Sequence, residues 1–315
     1  MSIDKKYFEH FIKATELSAI GAFPYIGKGD KIAADQGSVD QMRTQLNKID
    51  MDATVVIGEG EMDEAPMLYI GEKVGTKVKK GQKLDIALDP LEGTNFVAKD
   101  LPNSFSMLAV TEKGNLFSAP DTYMEKIAIG PNLPKNLLDL DNTIEKNIKL
   151  LSEALKKKNE DITACLLKRD RHQNIVKVLN DLKVNIKYIS DGDVSGAISV
   201  ADSKTNIDIY MGIGGGPEGV LAAAALSCMG GQIQTRLVLD DNEKKRALKL
   251  GVTDFKKKYN IDDMIKGDVI FCASAITDGD IVSGVKDLGS KYEVSTFALH
   301  KSELINKKIT NFHLK

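Results

Sequence analysis

The feature that most constrains this chain is the stretch 84–95, where an apolar segment runs into two acidic residues around a proline. Alternating side chains up to Leu88 predict a half-buried strand. Because proline donates no ladder hydrogen bond and the next residues include a glycine, we expect the strand to stop before Asp89. Glu92 and Thr94 then share a short turn with Asp89, and clustered carboxylates of this kind suit a hard divalent cation. The same residue types are also common in ordinary turns.

A second acidic turn follows the short strand predicted at 53–57. It runs from Gly58 to Glu64 and has glycines on both sides of Glu59, although a charged run can also be a solvated loop. Since neighbouring strands of a sheet commonly end together, the two acidic turns could share one pocket. Asp35 lies near the start of a predicted amphipathic helix, where a carboxylate usually interacts with the helix dipole.

The length of the chain and a change in its sequence pattern predict two domains. A chain of 315 residues exceeds the usual span of one domain, which is about 100–200 residues. A turn-rich stretch at 131–142 separates two regions with different patterns of predicted elements, and in the second region strands alternate with helices. We therefore expect an α+β domain over 1–140 and an α/β domain over 141–315.

Composition limits the partners and the compartment. A net charge of -2 argues against a nucleic-acid binder that works by bulk electrostatics. The three cysteines lie in apolar runs and are expected to be free thiols in a reducing compartment. The N-terminus has no apolar signal-peptide core, and the longest mostly apolar run, 220–229, is too short to span a bilayer. We therefore expect a cytoplasmic protein that does not act at a membrane.

Three predicted strand ends in the second half carry polar or glycine-rich residues, and ligands of α/β sheets bind at such ends. The segment 168–172 contains three cations suited to phosphate, and its histidine is more typical of a helix start or a surface position. The segment 191–193 could bond sugar hydroxyls or cap the next helix. The segment 212–219 is a glycine loop whose backbone N–H groups are accessible to an anion, and its Pro217 suits a first helical turn.

The glycine loop also leaves a dinucleotide-binding protein open. It contains G-x-G-x-x-G from Gly214 to Gly219, with Asp240 roughly 20 residues further on, as that fingerprint requires. Glu218 weakens this alternative, because it would place a negative charge where the pyrophosphate should lie. The motif also falls late in the chain, whereas the fingerprint normally follows the first strand of its fold.

Taken together, Asp35, Glu59, the motif 89–94 and the motif 215–219 resemble those of the class II (GlpX-type) fructose-1,6-bisphosphatase family. The resemblance covers nearly the whole chain and is closest over 29–31, 57–68, 123–126 and 212–219. It implies the α/β sugar-phosphatase fold, a layered αβαβα sandwich of two α/β domains. By the same resemblance, the domain over 1–140 would bind the metal, and the domain over 141–315 would contribute sugar-phosphate contacts and one metal carboxylate. The same superfamily includes the inositol monophosphatases.

The resemblance also implies a set of site residues. Thr94, oriented by Asp35 or Glu59, would position the attacking water. The segment 169–171 is often Lys-Pro-Arg in this family but is Arg-Asp-Arg here. A carboxylate beside a phosphate contact should weaken it, so Arg171 is the strongest of the three candidates. The implied metal ligands are Asp35, Glu59, Asp89, Glu92 and Glu218. The implied substrate contacts are Glu92, Gly93, Thr94, Tyr123, Arg169, Asp170, Arg171, Asp191, Gly192, Asp193 and Gly215.

The reaction implied by the resemblance is hydrolysis of the 1-phosphate of fructose 1,6-bisphosphate to fructose 6-phosphate, with Mn²⁺ or Mg²⁺ as cofactor. The partner is a small-molecule sugar bisphosphate, and self-association to a homodimer or homotetramer is expected. A phosphatase of the same superfamily acting on sedoheptulose 1,7-bisphosphate or an inositol phosphate is the main alternative. A dinucleotide-binding oxidoreductase or a non-catalytic sugar-phosphate binder is more remote.

Overall fold

The structure is a computed structural model, and it describes residues 2–60, 67–76, 81–118 and 120–315. The chain is a mixed α/β protein with two β-sheets, as the sequence predicts. No helix in the described ranges is both long and apolar enough to cross a membrane. The helices are α1 (Phe8–Ala22), α2 (Lys31–Leu46), α3 (Thr94–Lys99), α4 (Ile144–Leu155), α5 (Gln173–Asp181), α6 (Asp193–Ile198), α7 (Gly216–Met229), α8 (Asp241–Lys249) and α9 (Ile261–Met264). The strands are β1 (Asp52–Ile57), β2 (Lys73–Val74), β3 (Lys83–Glu92), β4 (Phe105–Glu112), β5 (Tyr123–Ile129), β6 (Thr163–Leu167), β7 (Asn185–Ile189), β8 (Ile209–Gly215), β9 (Gln232–Val238), β10 (Lys258–Asn260), β11 (Val269–Ala275), β12 (Lys286–Asp287), β13 (Lys291–His300) and β14 (Ile305–Leu314).

One compact unit consists of Met1–Ser118 and Ile265–Lys315. Its sheet has the order β12-β13-β11-β4-β3-β1-β2, with β14 paired to β13. β1 and β3 are parallel, and β3, β4, β11 and β13 pair antiparallel in turn. Helices α1 and α2 bury apolar side chains against these strands. The apolar core there includes Phe11, Ile12, Met42, Leu46, Val55, Ile86, Leu108, Ile270 and Ala298.

Helices α1 and α2 cross in direct backbone contact. A side chain at Gly21 would overlap the carbonyl of Gly37, and a side chain at Gly37 would overlap the carbonyl of Gly21. Two serines bond across the same crossing, because Ser18 Oγ donates to Ser38 O at 3.1 Å and Ser38 Oγ contacts Ser18 O at 3.2 Å. Ser18 Oγ also lies 3.3 Å from Pro90 O. The helix pair is therefore anchored to the corner at the end of β3.

The other compact unit is Ala119–Met264. Its sheet has the order β10-β9-β5-β8-β6-β7, in which β6 is parallel to both β7 and β8. β5 lies antiparallel between β8 and β9, so the sheet is mixed. Helices α4 and α5 cover one face of this sheet. The buried side chains there include Ile127, Ile129, Ile148, Leu151, Leu166, Leu179, Ile209 and Met211.

These units divide the chain differently from the predicted domains 1–140 and 141–315. β5 precedes residue 140, yet it pairs along its whole length with β8 and β9 and so lies within the second unit. The chain later returns to the first unit, because β11 pairs antiparallel with β4 and β13 pairs with β11. The alternating pattern of the sequence marks the strands, whereas the pairing of β5 with β8 and β9, and of β11 with β4, joins segments that are far apart in the sequence.

Candidate active site

Two acidic side chains leave adjacent strands at the same level of the first sheet. β1 and β3 are parallel neighbours, and Ile57 is registered with Ala87. Glu59 and Asp89 therefore each lie two residues beyond this pair between β1 and β3, on the side of the sheet to which both strands run. The expectation that the two strands end together is wrong, because β1 ends at Ile57 and β3 continues to Glu92, but the register still brings Glu59 and Asp89 to the same level. The remaining acids of the first turn, at 61–64, lie outside the described residues.

The corner at Asp89–Glu92 is a bulge rather than the predicted strand end. β3 continues through Pro90 to Glu92, and its register against β4 shifts between Asp89 and Glu92. The shift explains why the proline is tolerated, since a bulge leaves a residue out of the hydrogen-bonded ladder. Leu91 N donates to Asp89 Oδ1 at 3.1 Å, which holds the corner from inside.

The residues after the bulge begin a short helix. Gly93 is the N-cap of α3 with a φ of 80°, a left-handed conformation that favours glycine, and a side chain there would overlap the ring of Phe96. Thr94 is the first residue of α3 and is half-buried. Glu92 is buried, and its carbonyl accepts a hydrogen bond from Ser104 Oγ at 2.8 Å. The hydrogen bond to Glu92 O and the cap at Gly93 thus hold the backbone between Glu92 and Thr94.

Asp35 lies in the second turn of α2, and it is not the residue that caps this helix. The N-cap is Asp30, whose Oδ1 accepts from Ala33 N at 3.0 Å. Burial raises the pKa of the Asp35 carboxyl. Its neighbour Ala34 belongs to the same apolar cluster as Leu91, so this turn of α2 packs near the corner of β3.

The five predicted metal ligands are all carboxylates, which suit a hard divalent cation. In the described part of the chain, however, they do not surround a common point as a complete set of ligands. Within the described ranges, no group of three or more His, Cys, Asp or Glu side chains could hold a metal ion. Mg²⁺ in particular usually keeps several waters and takes only one or two carboxylates together with substrate phosphates. Glu218 Oε2 is enclosed and has no hydrogen-bond partner among the described residues. An enclosed carboxylate oxygen without a donor is costly, and a cation would compensate for that cost.

Glu218 lies in the first turn of α7, which starts at the glycine loop. Gly215 is the N-cap, Gly216 N donates to Thr122 O at 2.6 Å, and Pro217 occupies the first turn as predicted. A side chain at Gly215 would overlap Glu218 Oε2, so only glycine leaves room for this carboxylate. Burial raises the pKa of Glu218, against the opposing effect of the Lys126 ammonium.

The second sheet gathers the other predicted segments along one edge. β6, β7 and β8 are parallel, so their carboxyl ends leave the sheet on the same side. Tyr123, the first residue of the antiparallel β5, is registered with Gly215 at the end of β8. The predicted substrate residues placed along this edge are Tyr123, Arg169, Asp170, Arg171, Asp191, Gly192, Asp193 and Gly215.

Arg171 and Tyr123 form a stacked and exposed pair at this edge. The Arg171 guanidinium carbon lies 4.7 Å from the centre of the Tyr123 ring. Arg171 Nε and Nη2 donate to Ile213 O at 3.0 and 2.7 Å, which fixes the plane of the guanidinium. An arginine carries five N–H donors, so this arrangement leaves others for an anion.

Arg169 and Asp170 have different surroundings from Arg171. Arg169 Nη1 donates to Ser190 O at 2.7 Å and to Lys168 O at 3.1 Å, so one end of its guanidinium is held by backbone carbonyls. Arg169 and Asp170 also line an open groove of about 900 Å³, together with Lys168 and Tyr188.

Asp193 is a buried residue of the second unit. It is 7% exposed, and its two carboxylate oxygens accept from the Lys126 ammonium and from the Tyr210 hydroxyl. A side chain at Gly214 would overlap the same carboxylate. Asp191 is half-buried, and Gly192 has a φ of 81° as the N-cap of α6.

The sequence interpretation missed Lys126 and Tyr210. A signal for Lys126 was present, because it follows Met124 and precedes Ala128 at alternate positions of an otherwise apolar strand. Such a position predicts a buried face, and a buried lysine requires an acidic partner. The histidine of segment 168–172 does lie at a helix start, as expected, but it is buried rather than at the surface.

The dinucleotide alternative does not fit the second sheet. β8, which precedes the glycine loop, lies between the antiparallel β5 and the parallel β6, whereas a dinucleotide-binding strand belongs to a mostly parallel sheet. Asp240 is engaged in a capping box at the start of α8, because its side chain accepts from Glu243 N and the Glu243 side chain accepts from Asp240 N. Asp240 therefore has a structural role.

The first unit has carboxylates at the level where β1 ends and a helix that begins at a threonine, and the second unit has a fixed arginine beside a tyrosine; each arrangement suits a protein that acts on phosphate esters. The comparisons with known proteins agree with this class. The chain belongs to the family described as bacterial fructose-1,6-bisphosphatase, glpX-encoded, which it matches over residues 5–313.

Two relatives and one solved structure illustrate the similarity. A D-fructose 1,6-bisphosphatase class 2/sedoheptulose 1,7-bisphosphatase of Synechococcus sp. (strain JA-2-3B'a(2-13)) is 38% identical over 337 residues, covering 99% of this chain and 97% of the relative. The fructose-1,6-bisphosphatase class 2 of Haemophilus influenzae is 37% identical over 318 residues, covering 96% and 94%. The extragenic suppressor protein suhB of Bartonella henselae covers 64% of this chain and 75% of its own, with a TM-score of 0.36 and 11% identity, which is too distant to carry an argument.

Proposed function

We propose that this chain hydrolyses the 1-phosphate of fructose 1,6-bisphosphate to fructose 6-phosphate and phosphate, with the help of a divalent cation. The observation that carries the proposal is the register of β1 and β3, which sets Glu59 and Asp89 at one level of the sheet edge. Thr94 follows in the same corner as the first residue of α3. Membership of the fructose-1,6-bisphosphatase family supports the substrate class.

The proposed metal ligands are oxygen donors, which suits Mg²⁺ or Mn²⁺. Such an ion, when bound, would neutralise phosphate charge and act as a Lewis acid. Glu218 is included because its Oε2 is enclosed without a hydrogen-bond partner in the described part of the chain. The proposed ligands are Asp35, Glu59, Asp89, Glu92 and Glu218.

The chain's own groups would align the reactants. The Thr94 hydroxyl, oriented by Asp35 or Glu59, would hold the attacking water in line with the phosphorus. A free hydroxyl is a weak base, so its role is alignment and proton relay. Backbone N–H groups in the first turn of α3 carry partial positive charge, which favours the negative charge that develops on the phosphoryl oxygens. Phosphoryl transfer depends mainly on such positioning and charge compensation.

The edge of the second sheet would bind the sugar and its 6-phosphate. Arg171, stacked on Tyr123 and fixed by Ile213 O, is proposed as the main phosphate contact. The segment 191–192 and Gly215 would contact the sugar. Asp193 would contribute from inside, because Lys126 and Tyr210 bond both of its oxygens. Arg169 and Asp170 are proposed as flanking contacts.

A second candidate substrate is sedoheptulose 1,7-bisphosphate. The observation that favours it is the Synechococcus relative, whose name carries both activities and which aligns with 99% of this chain. Both sugars present a phosphate on a primary carbon and a second phosphate at the far end, so the same two groups of residues would serve.

A phosphate-release panel tests the proposal. Purified chain is assayed with fructose 1,6-bisphosphate, sedoheptulose 1,7-bisphosphate and inositol 1-phosphate, each with Mg²⁺, with Mn²⁺ and with chelator. We expect release from fructose 1,6-bisphosphate with at least one metal, and a smaller kcat/KM on inositol 1-phosphate, which lacks a second phosphate for Arg171. Preference for inositol 1-phosphate, or no release from either bisphosphate, would contradict the proposal.

We further propose that the chain self-associates and works in the cytoplasm. Light scattering after size exclusion measures the first point, and we expect two or four times the chain mass of 34.4 kDa. A mass equal to one chain would contradict it. Fractionation of cells that express the chain measures the second point, and recovery with membranes or in the medium would contradict it.

A further inference from the structure

The backbone of Ile213 is hydrogen-bonded at both its N–H and its C=O by Arg171 and His172, two consecutive residues that follow the end of β6. His172 Nε2 accepts from Ile213 N at 2.8 Å, and Arg171 donates to Ile213 O through two nitrogens. β6 pairs with β8 only through Ala164–Ile209 and Cys165–Tyr210. His172 and Arg171 therefore hydrogen-bond to β8 beyond these two pairs with β6.

The surroundings of His172 define its chemical form. The ring is 1% exposed, and its other nitrogen, Nδ1, lies 2.7 Å from Leu167 O. A carbonyl only accepts and a backbone N–H only donates, so Nδ1 carries the proton and Nε2 is the acceptor. The neutral ring thus links the end of β6 to Ile213 and satisfies both of the groups that it contacts.

Gly212 makes room for this ring. Its φ is 139°, and a side chain there would bring a Cβ to 2.9 Å from His172 Cε1 and Nε2. Carbon contacts that short do not occur without a shift of the ring or the strand. Gly212 therefore leaves room for the hydrogen bond between Ile213 N and His172 Nε2.

We propose that His172 is a positioning residue for the phosphate that is not hydrolysed, acting through the backbone of Ile213 on Arg171. His172 fixes the N–H of Ile213, the carbonyl of the same residue fixes the guanidinium, and the guanidinium stacks on Tyr123 with its remaining donors available to the phosphate. The inference rests on the proposed function, because it assigns Arg171 to the 6-phosphate of the substrate.

Two substitutions at His172 separate positioning from bulk packing. In His172→Asn the amide nitrogen replaces Nδ1 and keeps the bond to Leu167 O, whereas nothing reaches Ile213 N. In His172→Gln the amide oxygen replaces Nε2 and keeps the bond to Ile213 N, whereas the bond to Leu167 O is lost. Each variant loses one hydrogen bond, so thermal unfolding should show similar losses of stability.

Turnover distinguishes the two variants. We expect His172→Asn to raise KM for fructose 1,6-bisphosphate about fivefold with kcat little changed, because one hydrogen bond contributes about 1 kcal/mol. The ratio of kcat/KM for the bisphosphate to kcat/KM for p-nitrophenyl phosphate, which has no second phosphate, should fall by the same factor. In His172→Gln this ratio should stay within about twofold of the wild type. Equal ratios in the two variants would overturn the inference.

Binding without metal tests the same point independently of catalysis. Calorimetry with fructose 6-phosphate in chelator should give a dissociation constant about fivefold weaker in His172→Asn and near the wild-type value in His172→Gln. In an Arg171→Lys background, His172→Asn should have no further effect. The same loss in that background, or no binding by the wild type, would overturn the inference. If His172→Asn fails to fold, binding by His172→Gln alone decides, and a fivefold loss there refutes it. Absence of wild-type turnover would instead remove the proposed function.

Discussion

Lys126 and Asp193 form an ion pair inside the second unit, with side chains that are 1% and 8% exposed. The Lys126 ammonium donates to Asp193 Oδ2, and the Tyr210 hydroxyl donates to Oδ1. Glycines make the space, since a side chain at Gly214 would overlap Asp193 and one at Gly219 would press on Lys126. The pair lies next to the start of α7, which carries Glu218, so it supports the edge from which the proposed substrate contacts extend.

Removing one partner of this pair should destabilise the protein strongly. Lys126→Met keeps the length of the side chain but leaves the Asp193 carboxylate buried without its cation, which typically costs about 3–5 kcal/mol. Urea unfolding measures the effect. The double variant Lys126→Met/Asp193→Asn is the control, and it should cost less than the single variant because no buried charge remains. A loss below about 1 kcal/mol in Lys126→Met would show that the pair contributes little.

Glu218→Gln should stabilise the metal-free protein at pH 7. Burial raises the folded-state pKa of Glu218 above its unfolded value, so the ionised side chain costs stability, and this cost grows as pH rises above about 4.3. The variant removes the cost and should lose its advantage near pH 4, where the wild type is protonated in both states. Urea midpoints in chelator at the two pH values measure this.

Mn²⁺ provides the matched contrast for Glu218→Gln. Added metal should raise the wild-type midpoint more than that of the variant, because a ligand stabilises the state that binds it. The exposed Glu145→Gln serves as the control, and it should respond to Mn²⁺ as the wild type does. A variant that is less stable than the wild type at pH 7 in chelator would contradict the account of Glu218.

Thr94→Ala should lower kcat on fructose 1,6-bisphosphate by about 10²–10³-fold with little change in KM, since the hydroxyl aligns water and does not bind the sugar. Thr94 is the first residue of α3, and its N-cap is Gly93, so the substitution leaves the cap in place. Thr94→Ser retains the hydroxyl and should keep most of the activity. Unchanged turnover in Thr94→Ala would remove the relay role.

Asp268→Asn should destabilise the protein by about 1–3 kcal/mol at pH 7, and the difference should shrink in acid. Burial opposes ionisation of Asp268, but hydrogen bonds from His300, Ile3 N and Ser302 outweigh it and hold its pKa well below the usual range. A lowered folded pKa stabilises the protein above the unfolded pKa of about 3.9, and this stabilisation declines as pH falls below that value. The difference between the urea midpoints of the two proteins should be smaller at pH 3.5 than at pH 7. A pH-independent gap would contradict this assignment.

The strands and the chemistry of their ends could be predicted from local patterns. The alternating apolar residues before Asp89 and before Glu59 predicted two strands, and the structure makes them parallel neighbours. The glycine loop and Pro217 likewise predicted the start of α7. These features depend on residues close in the sequence, where periodicity and turn chemistry give direct information.

Long-range pairing could not be predicted in the same way. Nothing local indicates that β5 pairs with β8 and β9, or that β11 returns to β4, and so the predicted division at residue 140 differs from the two units. The bulge at Pro90 was missed because it depends on the register against β4. The burial of Asp193 depends on Lys126 and Tyr210, each of which is far from it in the sequence.

The central claim is that carboxylates at the strand ends act through a divalent cation on a sugar bisphosphate. Phosphate release from fructose 1,6-bisphosphate, followed as one sample is depleted with chelator and then resupplied with Mn²⁺ or Mg²⁺, tests it most directly. The account predicts that activity disappears in chelator and returns with metal, and that Asp89→Asn stays inactive throughout. Full activity in chelator, or an Asp89→Asn variant as active as the wild type, would contradict it.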